Sequence, residues 1–253
     1  MNAPPADLGM LSLAALAIGF FHTLLGPDHY MPFVAMSQVG RWSLKKTIVI
    51  TMLCGLGHVG SSIVLGLIGV AFGIVVLQLE TIESVRGDLA SWLLVAFGLA
   101  YFTWGVVRAI RNVPHSHLHA HGDGTLHVHK HAHVGDHLHV HGGAGSQTKR
   151  AAGERHTLDP TSLTPWVLMV IFLFGPCEPL IPLLMYPAAT ASAWGVVSVT
   201  VLFALATLAT MTTLVVLMYL GAGALRFHWV HRYSHALAGL VVLSCGLAIK
   251  MGL

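Results

Sequence analysis

Hydrophobic positions run almost unbroken through about 9–36, 47–77, 89–108, 163–187, 193–222 and 234–252. Each stretch is about 20 residues or more, the length an α-helix needs to cross the hydrocarbon of a bilayer. The pattern predicts six spanning helices. Polar positions cluster between them: Glu80, Glu83 and Asp88 read as a short acidic outer loop, and the longest polar interval separates the third and fourth helices. Met1 to Leu8 holds Asp7 and no lysine or arginine, so the first stretch is expected to be a permanent helix and not a cleaved signal.

Two of the apolar stretches are interrupted in the same way. Gly26-Pro27-Asp28-His29 breaks the first, and Gly175-Pro176-Cys177-Glu178 breaks the fourth, 149 residues later. Proline has no N–H to donate and disfavours helix in the residue before it, so each Gly-Pro is expected to end one half-helix and begin another. Free backbone groups at such a break need a cavity to satisfy them. Gly98-Leu99-Ala100 recurs as Gly246-Leu247-Ala248, offset by 148. A duplicated unit with an odd number of helices enters the membrane from the opposite side, which predicts an all-α membrane protein of two inverted three-helix repeats with its site at the midplane. The expected organisation is a first repeat over 1–110, a His-rich loop over 111–160 and a second repeat over 161–253.

Composition agrees with the pattern: of 253 residues, 55% are hydrophobic and 9% charged, with a mean hydropathy of +0.74. Positive charge falls mainly in alternate loops, at Arg41, Lys45 and Lys46, at Arg108, Arg111, Lys130, Lys149, Arg150 and Arg155, and at Arg226 and Arg232, against Arg86 and Lys250 on the other side. The positive-inside rule then puts both termini outside and the His-rich loop in the cytoplasm of a bacterial inner (plasma) membrane. The net charge of +3 is small and the arginines and lysines between Arg108 and Arg155 are dispersed among histidines, so no nucleic-acid partner is expected. Cys54, Cys177 and Cys245 all lie in predicted helices and give no disulfide framework.

Ionisable residues inside a spanning segment are costly and mark a functional site. His22, Asp28 and His29 in the first helix, His58 in the second, and Cys177 and Glu178 in the fourth are the candidate metal ligands. Gly57, Gly60, Ser61 and Ser62 around His58 let another helix approach closely, which turns His58 toward the bundle interior. Thr207, the 149-residue mate of His58, would face the same cavity, and Met211 adds a soft sulfur nearby. The loop carries His115, His117, His119, His121, His127, His129, His131, His133, His137, His139 and His141 with a period of two. In extended chain that puts imidazoles on one face, suited to borderline divalent ions including Zn²⁺. His228, His231 and His235 fall on one helical face before the sixth helix, as interfacial residues or an entrance station.

The run from His22 to His29 resembles the first-helix signature of the nickel/cobalt transporter superfamily, in particular its urease-accessory-like nickel permease branch, and Leu56-Gly57-His58 resembles its second-helix signature. The His-rich loop is similar to that of the efflux branch. The five residues between His22 and Asp28 are one more than in the best-known nickel/cobalt permeases. The resemblance implies a ligand role for His22, Asp28, His29 and His58; Cys177 and Glu178 are added from the internal repeat. The expected function is secondary transport of Ni²⁺ or Co²⁺, efflux favoured over uptake because a cytoplasmic histidine store can gather surplus ion. No catalysis and no prosthetic group are expected. Expected partners are the metal ion, the lipid bilayer and a cytoplasmic metallochaperone. Two other classes share the layout: a sulfite or organic anion exporter, which half-helix N-termini would favour but for which no mid-membrane cation is evident, and a membrane thiol–disulfide carrier using Cys177.

Overall fold

The computed structural model describes residues 5–74, 76–111, 115–120, 126–131, 160–175, 177, 179–189, 193–224 and 230–252. The helices are α1 Pro5–Leu25, α2 Met31–Val39, α3 Leu44–Phe72, α4 Val76–Ile110, α5 Pro160–Phe174, α6 Leu180–Ala189, α7 Ala193–Ala224 and α8 Val230–Lys250. Five of them hold segments long and apolar enough to cross a membrane, at Leu8–Leu25, Leu44–Phe72, Val76–Ile110, Ala193–Ala222 and Tyr233–Lys250. The fourth predicted span appears instead as the short apolar α5, a break and the ten-residue α6. The chain is a helical membrane protein, and its outer surface shows why. Leu53, Leu56, Phe72, Trp92, Leu205, Leu217 and Leu247 are all exposed, as lipid-facing side chains must be.

Both Gly-Pro breaks fall where expected. The last regular bond of α1 runs from the Gly26 N–H to the His22 carbonyl at 3.1 Å, after which Pro27–His29 forms a single 3-10 turn leading into α2. The Tyr30 hydroxyl donates to the Leu24 carbonyl at 3.3 Å, one of the acceptors that the break leaves without a helical partner. In the second half Gly175 N–H bonds back to Phe172 and Leu180 N–H to Cys177, so Cys177 sits between two helix ends. Elsewhere the ends follow ordinary rules: the Ser43 hydroxyl caps α3 by accepting from Lys46 N–H, and Gly73 closes it at φ 63°.

The acidic outer loop predicted at Glu80, Glu83 and Asp88 is not a loop. All three lie in α4, which begins at Val76, and Glu83 is fully buried. An ion pair to Arg86, one turn on, neutralises the charge that would otherwise end a membrane helix.

The most extensive packing is between α4 and α8, which run antiparallel, since Gly98 meets Leu243 and Gly105 meets Ala236. A Cβ on Gly98 would collide with the backbone of Leu243, and one on Gly246 with that of Val95, so the two backbones approach as only small residues permit. In addition, α1 packs on α7 and α5 on α3, while α2 packs on α8 and α6 on α4. A buried cluster including Phe33, Met36, Leu94, Tyr101, Phe172, Met211 and Val242 fills the centre of the bundle. Within the His-rich stretch, β1 His115–Ala120 and β2 Leu126–His131 form an antiparallel hairpin. Its Cα register sets His115 opposite His131, His117 opposite His129 and His119 opposite His127.

Candidate metal centre

Three chain segments that are remote in sequence bring donors together in the bundle. His22 stands near the end of α1, His58 in the middle of α3 and Cys177 in the second break, and one donor atom from each lies within 4.8 Å of the other two. His29, in the first break, completes a ring of imidazoles: its centroid is 4.7 Å from that of His22 and 5.1 Å from that of His58, edge-on to both. His22 and His58 are nearly parallel at 6.4 Å. His29, His58 and Cys177 are buried. Phe172 lies beside His58 and Phe203 beside His22, so the surroundings are apolar.

Among the described residues, His22 Nε2, His29 Nε2 and both ring nitrogens of His58 are buried without a hydrogen-bond partner. An unpartnered buried polar atom costs about 1–3 kcal/mol, and four of them lie on three adjacent rings. Metal–nitrogen bonds of about 2.0–2.1 Å and metal–sulfur bonds of about 2.3 Å hold donors roughly 3.5 Å apart. The trio would therefore close by about an ångström around an ion. Imidazole and thiolate together suit borderline and soft divalent ions and not Mg²⁺ or Ca²⁺.

Asp28 stands behind the ring. Its Oδ1 is 3.4 Å from His29 Nδ1, which also faces the Gly26 carbonyl at 3.1 Å, and its side chain keeps 24% exposure. That arrangement leaves His29 Nε2 as the ring's free nitrogen, the outer-shell carboxylate arrangement usual behind a ligating histidine. Glu178 lies outside the described residues, as do His121, His133, His137, His139, His141 and His228. His115, His117, His119, His127, His129 and His131 are described as backbone in the hairpin, and His231 as backbone in α8. His235 is engaged elsewhere, its Nδ1 3.0 Å from the Tyr101 hydroxyl and its ring edge-on to Trp104. The predicted cavity residue Thr207 is buried beside Gly19 on the α1–α7 contact, and Met211 beside Gly55.

Comparison with protein-family models, with curated proteins and with solved structures finds no match. The donor set therefore stands on its own geometry.

One charged pair at the centre's edge is not where the sequence pattern put it. Arg86 Nη1 donates to Glu83 Oε2 at 2.6 Å, while Nη2 donates to Ser61 Oγ at 2.7 Å and to the Leu173 carbonyl at 3.1 Å. The same nitrogen lies 3.4 Å from the Gly175 carbonyl. Arg86, expected on the outer side, is thus inside the helix bundle. A Glu and an Arg three apart, the spacing of neighbours on one helix face, was the signal available for it.

Proposed function

We propose that this chain is a secondary transporter of divalent transition-metal cations, Ni²⁺ or Co²⁺ first, across the inner membrane. The observation that carries the reading is the meeting of His22, His58 and Cys177, donors from both sides of the His-rich loop, with buried imidazole nitrogens that no other described residue satisfies. His29, backed by Asp28, is the further nitrogen donor, and Glu178 is retained as the second carboxylate. The ion is cargo, so donors drawn from elements that can move apart serve it better than a rigid cage.

Two inverted three-helix repeats are the architecture this reading assumes. It is supported by reciprocal packing, with Gly98 against Leu243 and Gly246 against Val95, each partner 148 residues from its mate. The pairing of α1 with α7 and of α5 with α3 is reciprocal in the same way. Outside termini and a cytoplasmic hairpin that gathers ion for efflux follow from the charge distribution. The resemblance of His22 to His29 to the nickel/cobalt signature favours those two ions.

The presence of Arg86 in the bundle is the one observation favouring the anion-exporter reading, but Glu83 neutralises it and three acceptors besides engage it. All three cysteines are free thiols, and no pair supports the disulfide-carrier reading. Radioactive Ni²⁺ and Co²⁺ flux in vesicles of known orientation tests the proposal: saturable flux lost in His58→Ala supports it, and equal flux with and without the protein would end it.

A further inference from the structure

A broken helix leaves carbonyls that must be satisfied by something. At the end of α5 the supplier is Arg86 of α4, whose Nη2 reaches the Leu173 carbonyl and, at longer range, that of Gly175. The same nitrogen donates to Ser61 Oγ, and the Ser61 hydroxyl in turn donates to the His58 carbonyl at 2.9 Å. One guanidinium therefore ties the backbone that carries His58 to the backbone that leads into Cys177. The fit is close: a Cβ on Gly175 would lie 3.0 Å from His58 Nδ1. Glu83, fully buried, fixes the other end of the fork through Nη1. Only arginine presents several donors in a rigid plane; lysine offers one point charge on a flexible stem.

We propose that Arg86 is the positioning residue that sets the Cys177 sulfur against the imidazoles of His22 and His58, and so decides whether the centre binds its ion through sulfur as well as nitrogen. The inference rests on the metal-cation reading of the site. It adds a member that touches no ion, and it explains why a charged pair is kept in the bundle: removing one partner of such a pair is costly, whereas a neutral pair is tolerated.

The test uses the purified full-length chain and Co²⁺ alone, read by absorption spectroscopy, because a cobalt–thiolate bond gives a near-ultraviolet charge-transfer band that imidazole ligation does not. Two variants, Arg86→Lys and Arg86→Gln, are read so that a folding failure in one leaves the other, and size-exclusion chromatography checks both. The expected result is loss of the band with ten- to hundred-fold weaker Co²⁺ binding, the usual effect of removing an outer-shell partner, while the weaker nitrogen-only spectrum persists. The double variant Glu83→Gln/Arg86→Gln separates positioning from charge neutralisation. A band that stays absent supports the inference, and a band restored to full strength overturns it by showing that Arg86 only neutralises Glu83. A folded Arg86→Lys or Arg86→Gln with the native band and affinity also overturns it. A native chain that shows no thiolate band fails at the level of the metal centre itself, before any variant is read.

Discussion

Gly175 and His58 touch across the two halves of the chain, with the position a Gly175 Cβ would occupy only 3.0 Å from His58 Nδ1. The second break thus passes against one of the imidazoles, with no side chain at residue 175 to hold them apart. Gly175→Ala is expected to push the ring or the break aside at a cost of about 1–3 kcal/mol. Metal binding should weaken accordingly, by up to about a hundredfold, with little change in secondary structure. Titration calorimetry alongside circular dichroism checks this.

The donor set predicts an order of selectivity. Cys177→Ser keeps the volume but replaces soft sulfur with oxygen, so affinity for Zn²⁺ should fall more than affinity for Ni²⁺. Competition between the two ions on the purified variant measures the ratio directly. An unchanged ratio would remove sulfur from the coordination shell.

The α4–α8 contact should be equally intolerant from either side. Gly98→Leu meets the backbone of Leu243 and Gly246→Leu that of Val95, so each is expected to destabilise the chain by about 1–3 kcal/mol or more, since backbone cannot repack as a side chain can. Thermal unfolding in detergent reads both. Similar losses in the two variants are expected of a reciprocal contact.

The hairpin sets three pairs of histidines opposite one another, at 115 and 131, 117 and 129, and 119 and 127. Deletion of residues 115–141 is expected to lower the total metal bound per chain while leaving the central ion in place. Metal analysis after dialysis against a weak chelator distinguishes the two populations.

Five of the six predicted spans and the two breaks were legible because they depend on local physics: apolar length and the missing proline N–H. His22 and His58 were legible as anomalies, since each is a costly residue in an apolar run, and Cys177 was legible only through the repeated Gly-Pro break. Their convergence was only half visible, because 119 residues separate Cys177 from His58 and the repeat offset alone related the breaks. Glu83 and Arg86 were misread as a loop. Charges in a hydropathy pattern read as boundaries, and the mutual neutralisation that lets a helix carry them depends on Ser61 and the α5 carbonyls, which arrive only with the fold. His235 lies in α8 on Tyr101 for the same reason: its tertiary partner on α4 carries no mark in the local sequence.

The most direct test is equilibrium binding of Ni²⁺ and Co²⁺ to the purified chain lacking residues 115–141, with the ligands identified by X-ray absorption. The account predicts one tightly held ion per chain in a shell of imidazole nitrogen and one sulfur, abolished in the His22→Ala/His58→Ala variant. Retention of no ion, or an ion whose shell is unchanged in that variant, would contradict it.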